Sequence, residues 1–94
     1  MTTHESKGYI GDVILRRYLV EELVGEGSFA WVYRARGRDG EIVAVKVLYS
    51  SQPTAALRFA REIRVLQALP ENPYVAQYID HGHTADGRPV LVLE

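Results

Sequence analysis

The chain has 94 residues, 47% of them apolar and 24% charged, which suits one small domain or part of a larger one and is too apolar for a disordered segment. Eleven basic and twelve acidic side chains leave a formal charge of -1, so no global field draws the chain onto nucleic acid or an anionic membrane. The absence of cysteine excludes disulfides, thiolate metal sites and a cysteine nucleophile.

Residues 1–17 read as a lead-in, polar and frayed over 1–8 and without a clean apolar period in YIGDVILRR. The opening MTTHESKGYIGDV contains no apolar run of signal type, and no later stretch approaches a membrane-spanning length, so a soluble, cytoplasmic piece with no membrane contact is expected. From Tyr18 to Val24, YLVEELV favours a strand through its β-branched and aromatic residues. The glycines Gly25 and Gly27 follow, and AWVYRAR, Ala30 to Arg36, reads as a second strand that sends Trp31, Tyr33 and Ala35 to one face and Val32, Arg34 and Arg36 to the other. Asp39-Gly40 then signals a hairpin turn before EIVAVKVLY, the clearest strand of the chain.

The next stretch, SSQPTAALRFAREIRVLQALP, reads as a helix. Cap-competent serines and Pro53 open it, Phe59, Ile63 and Leu66 share one face at helical spacing, and Pro70 ends it. PYVAQYIDHG and RPVLVLE read as two further strands around a turn at Asp86-Gly87. The fold class is therefore α+β, a five-stranded antiparallel sheet with one main helix.

Only two of the cations are lysine, Lys7 and Lys46, so a lysine inside a strand needs a reason. Ala44 and Lys46, two apart, share a face. A small residue beside a lysine, under a glycine-rich turn, leaves room for a flat ring while the lysine reaches phosphate oxygens. Val24 and Val32 supply an apolar wall. Glu62 borders the apolar stripe of the helix and can meet Lys46 across the gap to the sheet, or pair with Arg58 one turn earlier on a solvated face. The histidines His4, His81 and His83 make no metal site by spacing. Tyr49, Tyr74 and Tyr78 lack the interleaved cations of a nucleic-acid platform and read as sheet packing.

Taken together, GEGSFAWV, VAVK, REIRVL and PVLVLE, in that order, resemble the N-terminal lobe of a eukaryotic-like serine/threonine protein kinase of the bacterial kind, over Tyr18 to Glu94. The resemblance implies an ATP-binding lobe, residues 18–94, truncated at the hinge. Gly25, Gly27, Ser28 and Phe29 match the loop over the phosphates, and Ala30 stands where the family has a third glycine. Val24, Val32 and Ala44 match the adenine contacts, Lys46 the phosphate lysine, and Glu62 its helix partner. Leu66 and Tyr78 resemble positions of the apolar spine, Leu93 the gatekeeper and Glu94 the first hinge residue. The implied cofactor is ATP, with Mg2+ held in the parent protein by residues absent here, and the implied partners are a C-terminal lobe and a protein substrate. The 94 residues alone are expected to be inactive, and self-association through exposed apolar surface is expected. The alternative is a non-catalytic pseudokinase or a regulatory, partner-docking module.

Overall fold

The computed structural model describes residues 6–27 and 29–94. After a 3-10 turn at Ser6–Tyr9 come β1 (Val13–Ile14), β2 (Tyr18–Glu26), β3 (Ala30–Arg36), β4 (Ile42–Leu48), α1 (Pro53–Ala68), β5 (Tyr78–His83) and β6 (Pro89–Leu93). They build one antiparallel sheet of order β1-β2-β3-β4-β6-β5, so β6 slots between β4 and β5. The five expected strands are present, and the two-residue β1 adds a sixth.

Pleating divides the sheet into two unlike faces. On the first, Trp31, Tyr33 and Ala35 of β3 stand beside Val43, Val45 and Val47 of β4 and Val90 and Val92 of β6, all buried. On the second, Val32 of β3, Ala44, Lys46 and Leu48 of β4, and Leu91 and Leu93 of β6 face α1. Phe59 and Ala55 of the helix are buried against Leu48 and Leu91, while Ile63 and Leu66 pack beside them half-buried, on the stripe that the spacing predicts.

The first face is covered by the lead-in. Tyr9, Ile14 and Tyr18 are buried in the same cluster as Trp31, Tyr33 and the valines. The Tyr9 ring stands edge-on to Tyr33, with centroids 6.0 Å apart. Its hydroxyl donates to Asp86 at 2.9 Å, and the Tyr18 hydroxyl donates to Asp80 Oδ2 at 3.3 Å. Burial pushes the Tyr9, Tyr18 and Tyr33 phenols above their ordinary pKa. The β1–β2 turn holds two consecutive left-handed residues, Leu15 (φ 54°) and Arg16 (φ 62°), and a Cβ added at Gly82 would fall 2.6 Å from Leu15 Cδ2. Glycine at position 82 lets Leu15 close over β5. From Tyr9 onward the lead-in is thus a layer of the fold.

The turns follow their chemistry. Gly40 (φ 85°) and Gly87 (φ 92°) take the left-handed conformation at matching places in their hairpins, with Gly37 N–H bonded to the Glu41 carbonyl and Thr84 N–H to that of Arg88. Gln52, not a serine, occupies the N-cap of α1 and makes no side-chain cap bond, while Ser50 Oγ accepts from Gln52 N–H. Leu69 is extended, as a residue before proline must be. The strand expected from Pro73 begins only at Tyr78, because Asn72 Oδ1 captures the Tyr74 N–H at 2.9 Å and folds 72–77 into a turn.

If the lead-in is part of the core, Ile14→Ala should cost about 2–4 kcal/mol in chemical denaturation, the range for emptying a buried aliphatic site. A loss below about 0.5 kcal/mol would mean that the segment only lies against the sheet.

Candidate functional site

Lys46 sits in the middle of β4, flanked by Val32 on β3 and Leu91 on β6. With paired strands on both sides, its side chain leaves the sheet toward α1. There Nζ donates to both carboxylate oxygens of Glu62 at 3.2 Å. The side chains are 30% and 38% exposed, so water screens the pair and its contribution to stability is at most about 1 kcal/mol. Its geometric effect is larger than its energy, because it fixes a cation at one point between helix and sheet.

Arg58, the other candidate partner of Glu62, points elsewhere. Its guanidinium lies 5.6 Å from the centroid of the Phe29 ring, and no Arg58–Glu62 ion pair forms among the described residues. Arg34 and Arg36 are neutralised from β2. Arg36 Nε donates to Glu21 at 2.9 Å, and Arg34 reaches Glu21 at 3.4 Å and Glu22 at 3.3 Å. The bond from Arg36 holds the Glu21 carboxyl below the usual carboxylate range.

Lys46 and Glu62 line a cavity of 270 Å³ whose other walls include Gly27, Phe29, Val32 and Phe59, with Arg58 at its edge. The loop above it is held by Gly27 N–H bonded to the Ala30 carbonyl at 2.9 Å. Where β2 enters the loop, the register slips by one residue between Leu23 and Gly25, so that Gly25 stands opposite Val32. Unlike Gly40 and Gly87, neither Gly25 nor Gly27 has a left-handed φ. A Cβ at Gly25 would meet nothing within 4 Å, and one at Gly27 only the Ala30 carbonyl at 3.7 Å. Nothing described inside the chain demands glycine at either place.

The remaining expected site residues are spread along the same sheet. Val24 is 56% exposed beside Gly25. Ala44 lies between Arg34 and Leu93, half-buried, and Leu93 pairs onward with Tyr78. Glu94 is exposed, its N–H bonded to the Gln77 carbonyl at 2.9 Å. Neither these residues nor Gly25 line the cavity under the loop. Ser28 falls outside the described residues. Two contributors were not read from the sequence as site residues: Arg58 was weighed only as a surface partner of Glu62, and Tyr49, whose hydroxyl donates to the Gly27 carbonyl at 2.6 Å, only as sheet packing. Their spacing carries no signal, since each meets the loop from a distant element.

A larger cleft, of 1030 Å³, separates the lead-in from the β5–β6 hairpin. Arg16, Arg17, His81 and His83 alternate there with Asp12 and Asp80, so it presents no single sign of charge. Among the described residues no three His, Asp or Glu side chains gather as metal ligands.

Comparison with known proteins adds a second line of support. No family model matches the chain. It is 34% identical over 99 aligned residues to the serine/threonine-protein kinase pkn3 of Myxococcus xanthus, which covers 100% of this chain and 18% of that protein. It is 38% identical over 86 residues to the DNA damage-responsive serine/threonine-protein kinase RqkA of Deinococcus radiodurans, covering 88% of this chain and 13% of that one. It is also 38% identical over 77 residues to cyclin-dependent kinase B2-1 of Arabidopsis thaliana, 77% of this chain and 25% of that one. The chain thus spans a quarter or less of the length of these relatives. A crystallised kinase domain superposes with a TM-score of 0.77 at 18% identity, over 99% of this chain and 27% of that one. The fold is that of a protein-kinase-like N-terminal lobe, and the chain has kinase homologues in both bacteria and eukaryotes.

The glycine geometry yields a test that needs no ligand. Gly25→Ala should leave stability unchanged or raise it by about 0.4–1 kcal/mol, through the lower entropy of the unfolded chain. A loss above about 1 kcal/mol in a thermal or urea melt would mean that the fold itself requires this glycine.

Proposed function

We propose that the chain is the ATP-binding lobe of a bacterial eukaryotic-like serine/threonine protein kinase, which with a C-terminal lobe transfers the γ-phosphate of ATP to a protein hydroxyl. The observation that carries the proposal is the Lys46 cation held by Glu62 in a cavity lined by Gly27, next to Gly25, whose open side the fold does not require to be glycine. Open space beside Gly25 lets an incoming group approach the backbone, and the cation matches an anion, so the residues present fit the phosphate end of a nucleotide.

In this reading Lys46 Nζ donates to phosphate oxygens while Glu62 keeps it in place. The unobstructed backbone at Gly25 and Gly27 and the Phe29 ring cover the phosphates, as Ser28 would. Val24, Val32, Ala44 and Leu93 form one apolar wall for adenine, and the Glu94 carbonyl accepts from its amino group. ATP supplies the phosphoryl group, and Mg2+ accompanies it with no ligand assigned in this chain. Positioning is the lobe's share of the chemistry, since phosphoryl transfer depends on alignment and charge stabilisation. The C-terminal lobe and the protein substrate are the proposed partners. Cytoplasmic location belongs to the same proposal; no described helix is long and apolar enough to cross a membrane.

A partner-docking module is the second reading, favoured by the exposed Leu57, Val65 and Leu69 along one side of the helix and its end. That surface also suits self-association.

Titration of the chain with ATP and Mg2+ separates the readings. Weak, millimolar binding is expected, because the chain supplies one apolar wall and a single phosphate lysine. Amide shifts should cluster at Gly25, Gly27, Val32 and Lys46. Lys46→Met should weaken binding roughly tenfold or more, as loss of one charged hydrogen bond implies. Unchanged affinity in a folded Lys46→Met chain would overturn the nucleotide role, and no binding at all would favour the docking module.

A further inference from the structure

Tyr49 follows β4 and continues its alternation past Val45 and Val47, so its ring packs on the first face of the sheet, away from Lys46 and α1. The ring lies against Trp31 with centroids 4.9 Å apart. From that side the hydroxyl donates to the Gly27 carbonyl at 2.6 Å, while the Tyr49 N–H donates to the Phe29 carbonyl at 2.8 Å and the Ser50 N–H reaches the same oxygen at 3.3 Å. Tyr49 is itself anchored, since Arg88 of the β5–β6 hairpin donates to its carbonyl at 2.8 Å and lies over the Trp31 ring at 5.4 Å.

A loop that receives an anion through its amides has to keep its carbonyl oxygens off that anion, because their negative ends repel it. Gly27 is well suited to let its peptide planes rotate. A fixed donor on the far side of the sheet opposes that rotation. We infer that Tyr49 is a positioning residue for the glycine loop, its hydroxyl holding the Gly27 carbonyl toward the face away from Lys46. The inference rests on the nucleotide reading of the loop for its consequence, but the tether itself does not depend on any ligand.

Tyr49→Phe removes the hydroxyl and leaves the ring on Trp31. In the chain without nucleotide, amide hydrogen exchange at Gly25 and Gly27 should accelerate about tenfold, the effect of losing one hydrogen bond. Exchange at Val45, Val47, Val90 and Val92 should stay as in the unsubstituted chain, which a merely structural role for Tyr49 would not allow. The affinity for ATP should fall severalfold. Unchanged loop exchange overturns the tether, and so does acceleration spread evenly over the strands. If ATP binds both chains equally, the positioning role is overturned although the bond exists. If ATP binds neither, the nucleotide reading fails and loop exchange alone decides the tether. Should the variant not fold, the hydroxyl proton of Tyr49 in the unsubstituted chain decides instead: slow exchange with a nuclear Overhauser contact to Gly27 supports the bond, and averaging with water overturns it.

Discussion

Lys46 has hydrogen-bonded strands on both sides, so its ammonium group can leave the sheet only through the face it points from, and on that face it needs water or a counter-charge. Glu62 supplies the charge from α1. The pair adds little to stability; the packing of Phe59 and Ala55 on Leu48 and Leu91 holds helix to sheet, and the pair fixes the Lys46 cation at the mouth of the cavity. Arg34 and Arg36, also on this side of the sheet, are answered by Glu21 and Glu22 on β2, so that Lys46 is the cation that the sheet itself sends into the cavity, with Arg58 of the helix lining it too.

The two faces of the sheet divide the work. Tyr33, Val45, Val47, Val90 and Val92 are fully buried on the face covered by the lead-in, and much of the hydrophobic stabilisation resides there. The α1 face has a smaller buried cluster, and its outer members Ile63, Leu66, Tyr78 and Leu93 are half-exposed. Binding surfaces are drawn from the less stable parts of a fold, and here the less buried face carries the cavity. Stability on one side leaves the other free to be incompletely covered.

Much of this was legible in the chain. Alternation in AWVYRAR and IVAVKVL gave both faces, Asp39-Gly40 and Asp86-Gly87 gave the hairpins, and the position of Glu62 beside Ile63 and before Leu66 aimed it toward the Lys46 strand. The lead-in was illegible for physical reasons. Its strand has two residues, too few to show a period, and its turn places Leu15 and Arg16 where glycine or asparagine would have been the signal. The bond from Tyr9 to Asp86 spans 77 residues and that from Tyr18 to Asp80 spans 62, distances over which local patterns say nothing. Tyr49 was hidden in the same way, because a tyrosine ending a strand looks like packing until the Gly27 carbonyl is found beneath its hydroxyl.

The scarcity of lysine allows the central claim, that Lys46 faces the phosphates of a bound nucleotide, to be put to one measurement. The chain contains two lysines, Lys7 and Lys46. An ATP derivative carrying an acyl phosphate transfers its acyl group to an amine held near the phosphates, and peptide mass spectrometry reports which lysine received it. The account predicts acylation at Lys46 that excess ATP suppresses, with any labelling of Lys7 indifferent to ATP. Equal labelling of Lys7 and Lys46, unaffected by ATP, would contradict it.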